Sequence, residues 1–151
     1  MPYEVLREPR EVKLARRQPS RAIDILTIGD NPTLSVYLSG LFQKSGWAMA
    51  RARTCDEGIS FLRDSKAAVA VCEESLPDGF WYNAAAGFRS LPDAPALVVV
   101  SDDQLLVHEV LALGGFDVLV RPLRESDVMW TIASAWHAWM KRFEGSATGA
   151  P

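Results

Sequence analysis

The stretch AAVAVCEESLPDG, Ala67–Gly79, decides how this chain folds. Its first six residues are small, apolar and partly β-branched, as suits a strand buried on both faces. The run stops at two carboxylates, Glu73 and Glu74. It then turns through Leu76-Pro77-Asp78-Gly79, where proline and glycine punctuate the backbone. A buried strand that ends in charge delivers that charge to the edge of a sheet.

Working outward, short apolar runs alternate with longer amphipathic stretches five times from Ala22 onward. Upstream, AIDILTIG (22–29) reads as a buried strand. Asn31-Pro32 then supplies an N-cap followed by proline at the first helical position. Leu34, Leu38, Leu41 and Phe42 recur at helical spacing until Gly46 stops the helix. WAMARAR (47–53) is a second, less buried strand, and Thr54 and Glu57 stand at capping-box spacing before the next helix, TCDEGISFLRDS (54–65). Downstream, a short helix is expected in WYNAAAGFRS (81–90) and a strand in APALVVVS (94–101). Next come a helix in DDQLLVHEVLALGG (102–115), a strand in FDVLV (116–120) and a last helix in ESDVMWTIASAWHAWMKRFE (125–144).

Five βα units with nearly continuous apolar strands predict an α/β fold: a doubly wound, five-stranded parallel sheet with helices on both faces. In such sheets ligands bind beyond the carboxyl ends of the strands, beside the point where strand order reverses. The predicted strands end in Gly29-Asp30-Asn31-Pro32, Glu73-Glu74, Ser101-Asp102-Asp103 and Arg121-Pro122. Acids, a hydroxyl and a guanidinium therefore converge on one rim.

The 151 residues, 48% hydrophobic and 23% charged, suit one domain with a real core. Residues 22–144 are expected to form it, with a flexible basic arm over 1–21 and a frayed tail over 145–151. The arm holds six basic groups, Arg7, Arg10, Lys13, Arg16, Arg17 and Arg21, against three acidic ones. That local +3 leaves −6 for the rest of a chain whose net charge is −3. An acidic body argues against direct nucleic-acid binding. No apolar run reaches the length of a membrane span and the N-terminus carries no signal-peptide core, so a cytoplasmic protein is expected. Cys55 and Cys72 make neither a disulfide framework nor a metal cluster, and Cys72 reads as a small buried hydrophobe.

Taken together, IGDNP, EESLPDG, VVVSDD and VRP resemble the receiver domain of bacterial two-component response regulators, the CheY-like family, over roughly residues 22 to 143. The resemblance implies a flavodoxin-like sheet of order 2-1-3-4-5. It further implies an acidic pair after the first strand, a phosphoacceptor ending the third, a hydroxyl switch ending the fourth and Lys-Pro ending the fifth. On this pattern Glu73 stands at the phosphoacceptor, Gly29 and Asp30 at the acidic pair, Ser101 and Val118 at the switch positions, and Arg121-Pro122 at Lys-Pro. The Arg121-Pro122 bond is expected to be cis by the same resemblance.

The departures from the pattern decide the functional expectation. Glutamate is one methylene longer than aspartate, about 1.5 Å of extra reach, which takes the carboxylate out of attack geometry. Gly29 removes one member of the acidic pair. Mg²⁺ is therefore expected weakly at most, on Asp30 and Glu73, and no other cofactor. Arg121 keeps its charge permanently and presents a planar fork to carboxylates, and Val118 has no ring to swing. These changes suggest one rewiring in which Arg121, with Ser101, holds Glu73.

In the last helix Val128, Ile132, Ala135, Trp139 and Phe143 form a stripe that can cover the sheet. Met129, Ala133, Trp136 and Met140 lie beside it and widen the apolar sector. Met129, Trp136 and Met140 are therefore expected to form a partner or homodimer face. His108 and His137 sit alone.

The leading expectation is a stand-alone, degenerate receiver acting through a protein partner in phosphorelay-type signalling, not an enzyme. Two alternatives stand beside it. One is a receiver that binds Mg²⁺ and is phosphorylated at another carboxylate, such as Glu74 or Asp78. The other is a flavodoxin-like cofactor or nucleotide binder, against which GDNPTLS offers one glycine and negative charge where a phosphate cradle needs amides. Cys72, Ser101 and His108 are too scattered to form a nucleophile and base pair.

Overall fold

A computed structural model describes residues 22–149, with side chains through residue 142. The basic arm over 1–21, the side chain of Phe143 and residues 150–151 lie outside the described residues. In chain order the elements are β1 (Asp24–Ile28), α1 (Pro32–Lys44), β2 (Ala48–Ala52), α2 (Cys55–Asp64) and β3 (Val69–Glu73). Then follow β4 (Ser75–Leu76), β5 (Gly79–Phe80), α3 (Trp81–Phe88), β6 (Ala96–Ser101), α4 (Leu106–Ala112), β7 (Asp117–Val120) and α5 (Glu125–Gly149).

Five strands form one parallel sheet in the order β2-β1-β3-β6-β7, the predicted 2-1-3-4-5 arrangement. Successive side chains of a strand point to opposite faces, and the core divides accordingly. Ile25, Val69, Val71, Val98 and Val100 pack under α1 and α5 with Leu38, Phe42, Val128, Ile132 and Ala135. Leu26, Ile28, Ala70, Cys72, Leu97 and Val99 pack on the other face with Trp81, Phe88, Leu106 and Val110. Burial on both faces is why the strands read as continuous apolar runs and not as alternating ones.

Local signals place the helices. The Asn31 side chain accepts from the Leu34 N–H at 3.1 Å, with Pro32 opening α1. Thr54 caps α2 by accepting from the Glu57 N–H at 3.1 Å, while the Glu57 carboxylate reaches back to the Arg53 N–H at 2.8 Å. Phe80 precedes α3 and has no side-chain acceptor, so Asn83 alone closes that end by accepting from the Phe80 N–H at 2.9 Å.

Three features differ from expectation. The helix predicted from Asp102 begins only at Leu106, because the Ser101 and Asp103 side chains take the Asp103 and Leu105 amides into local turns. The turn after β3 is a hairpin in its own right, pairing Leu76 with Gly79 and Ser75 with Phe80 around Pro77-Asp78. The backbone of α5 runs to Gly149, five residues past Glu144 where its apolar pattern ends.

Candidate functional site

The carboxyl ends of β1, β3, β6 and β7 bring Gly29, Glu73, Ser101 and Arg121 to one rim, as the sequence predicts. Gly29 has a φ of +146°, a backbone that favours glycine, and donates its N–H to the Ala52 carbonyl at 2.9 Å. The Glu73 side chain folds back over it. A Cβ at position 29 would lie 2.1 Å from Glu73 Oε2 and 2.6 Å from its Cγ. The extra methylene of Glu73 thus fills the volume that a side chain at position 29 would need. Two departures that look separate in the sequence are one exchange of space.

Glu73 Oε2 accepts from the Asn31 N–H at 3.0 Å. Burial pushes this carboxyl above its ordinary 4.5; the Asn31 amide opposes the rise, Asp30 adds to it, and Arg121 and Arg51 oppose it from a distance. The charged form is therefore the costly one. Glu73 weakens the fold as pH rises from 4.5 through its folded-state value, and this penalty is absent in acid.

The expected pairing of Arg121 with Glu73 is not formed. Arg121 Nη1 instead meets Asp102 Oδ1 at 3.4 Å on the surface, with Asp102 82% exposed, so the pair adds about 0–1 kcal/mol. Asp102 stands at the neighbouring strand end, while Glu73 turns the other way, into the space Gly29 leaves. Ser101 does not hold Glu73 either. It is fully buried, and its Oγ donates to Glu74 Oε1 at 2.7 Å. The Arg121-Pro122 bond is cis, as the resemblance implies. Val118 is half-buried in β7 against the core, and Asp30 is exposed beside Glu73.

Asp78, at the tip of the β4–β5 hairpin, was not singled out for a structural role by its sequence context. Its Oδ1 and Oδ2 accept from the Cys55 and Asp56 N–H groups at 2.9 and 3.1 Å, tying the hairpin to the first turn of α2. These donors, Cys55 first, hold its carboxyl below the ordinary 3.8. Stability from a lowered carboxyl is full above the unfolded value and is lost as pH falls through the folded one. Asp78→Ala should cost about 1 kcal/mol at pH 7, with the gap to wild type closing below 3.8 in urea titrations run at several pH values.

Gly29 offers no side-chain oxygen, Glu73 commits one oxygen to Asn31, and no group of three or more His, Cys, Asp or Glu among the described residues could hold a metal ion. Cys55 and Cys72 are buried free thiols. Burial pushes the Cys72 thiol far above its ordinary 9.0, away from the reactive thiolate form. His108 and His137 are exposed.

On α5, Val128, Ile132 and Ala135 are buried, and Trp139 Nε1 donates to the Ala94 carbonyl at 3.1 Å. The partner face expected at Met129, Trp136 and Met140 is half-buried. Met129 and Trp136 pack against the α1/α5 core, and Trp136 and Met140 line a groove of about 270 Å³ with Ala22, Asp24, Lys66 and Ala68. Among the described side chains of α5, the large apolar ring left to solvent is Trp130, 74% exposed. Among the described residues no helix is long and apolar enough to cross a membrane.

A five-stranded parallel sheet of this order, with an acidic rim at its switch point, is a doubly wound α/β fold. The chain adopts the CheY-like receiver fold. It is similar to the signal receiver domain of an HD domain-containing protein from Pseudomonas fluorescens, with a TM-score of 0.74 and 14% identity over 82% of this chain and 93% of that one. A two-component response regulator from Clostridium difficile gives a TM-score of 0.69 and 20% identity over 76% of this chain and 96% of that one. The receiver domain of the Saccharomyces cerevisiae response regulator Ssk1, in its co-crystal with the histidine phosphotransfer signaling protein Ypd1, gives 0.67 and 17% over 74% and 87%. No family model matches the sequence, and no curated protein matches it.

Proposed function

We propose that this chain is a degenerate receiver module of phosphorelay-type signalling, working through contact with a protein partner and taking up no phosphoryl group at Glu73. One observation carries the reading: the Glu73 carboxylate lies over Gly29, bonded to the Asn31 amide, where an acceptor and its metal would need open space. Of the other carboxylates, Asp78 commits both oxygens to α2 and Glu74 takes the Ser101 hydroxyl. To attack phosphorus Asp78 would have to release α2, whereas Glu74 has only Oε2 outside its bond to Ser101. Against a nucleotide or flavin cradle, the turn after β1 has already given its Asn31 N–H to Glu73. The neighbour that is crystallised with a phosphotransfer protein supports a protein as the partner. A second copy meeting α5 is within this reading, with Trp130 as the ring available to it.

The test is incubation with acetyl phosphate and Mg²⁺, read by intact mass. No phosphoryl adduct is expected under conditions that label an ordinary receiver run in parallel. An adduct mapping to Glu73, Glu74 or Asp78 would sink the reading.

A further inference from the structure

Glu74 links three elements at the rim. Its N–H donates to the Val100 carbonyl at 3.2 Å, its carbonyl accepts from the Trp81 N–H at 2.9 Å, and its Oε1 accepts from Ser101 Oγ at 2.7 Å. One residue thereby joins the end of β3, the start of α3 and the end of β6. The chain of bonds continues. Ser101 Oγ accepts from the Asp103 N–H at 3.0 Å, Asp103 Oδ1 accepts from the Leu105 N–H at 2.9 Å, and the Asp103 carbonyl accepts from the Leu106 N–H at 3.1 Å. These bonds place Leu105, 65% exposed, on the surface and seat Leu106, 7% exposed, in the core.

A serine hydroxyl has one proton and rotates to suit its partners. Ser101 is fully buried, so its proton must find an acceptor inside the protein, and the Glu74 carboxylate is the one it has. With that proton committed, the Oγ lone pairs face the Asp103 amide. A short hydroxyl-to-carboxylate bond of this kind is among the stronger hydrogen bonds.

We propose that Glu74 is a positioning residue, an internal latch that holds the Ser101 hydroxyl and through it the β6–α4 loop and the surface around Leu105. On the reading of the protein as a receiver that takes up no phosphoryl group, which this inference extends, the latch sets one loop conformation from within the chain. The loop then needs no covalent event at the rim to be ordered.

Hydrogen–deuterium exchange of the loop amides tests the latch apart from phosphorylation. Glu74→Asp keeps the charge but withdraws the carboxylate by one methylene. Glu74→Gln keeps the reach and an accepting oxygen. Exchange at Asp103 and Leu105 should rise on the order of tenfold in Glu74→Asp and in Ser101→Ala, and stay near wild type in Glu74→Gln. Combining Glu74→Asp with Ser101→Ala should open the loop no further than Ser101→Ala alone. Amides of Val98–Val100 report global stability and serve as the control for folding. Unchanged loop exchange in Glu74→Asp, or equal opening in the aspartate and glutamine variants, would overturn the latch. Either result would leave the acetyl phosphate test, which reads covalent mass alone, to decide the wider reading.

Discussion

Gly29→Asp, which restores a carboxylate to the rim, should destabilise the fold by about 2–5 kcal/mol. Two costs add. The backbone at Gly29, with φ +146°, is one that residues with a side chain rarely adopt. The new Cβ would also stand 2.1 Å from Glu73 Oε2, so the glutamate must leave its place and give up the Asn31 amide. Shortening the neighbour separates the two costs. In the double variant Gly29→Asp with Glu73→Asp the crowding is relieved and the backbone strain stays. It should therefore recover about 1–3 kcal/mol of the loss, a coupling energy of ordinary size for residues in contact. Urea unfolding followed by far-UV circular dichroism measures all four proteins. Additive costs for the two changes would show that Glu73 does not occupy the space beside Gly29.

Trp81→Ala should cost about 3–5 kcal/mol. Trp81 is 2% exposed and packs in the core with Cys72, Leu76 and Phe88, its ring edge-on to Tyr82 at 5.8 Å. Its backbone N–H donates to the Glu74 carbonyl at 2.9 Å, a bond that Trp81→Ala keeps, so the variant removes the packing of the ring alone. The helix α3 spans only eight residues and has no side-chain acceptor at its N-cap, which leaves tertiary packing to stabilise it. Trp81→Phe, which keeps most of the apolar contact, should lose far less. A loss below 1 kcal/mol in Trp81→Ala, measured by the same urea titration, would mean that α3 is held by its other contacts.

The strands and helices were legible because apolar runs and cap signals are local, and the sheet order came from the resemblance. Asn31-Pro32 marks α1, Thr54 marks α2, and the β-branched run Val98–Val100 marks a strand covered on both faces. The membership of the rim followed from where those strands end. Its wiring did not, because several acceptors there compete for few donors and rotamers decide among them. Arg121 was expected to meet Glu73 and instead meets Asp102; Ser101 was expected to assist Glu73 and instead bonds Glu74. The signal that could have found the arrangement was volume. A residue one methylene longer than the resemblance implies stands against one with no side chain, and 44 positions of sequence hide that they touch.

The nesting of Glu73 over Gly29 also limits how the rim could be rebuilt by successive substitutions. A side chain added at 29 first would collide with the one already there, whereas trimming position 73 first merely leaves a small void. Only one order of the two steps avoids that collision, so the pair fixes the sequence in which a carboxylate can be introduced at 29.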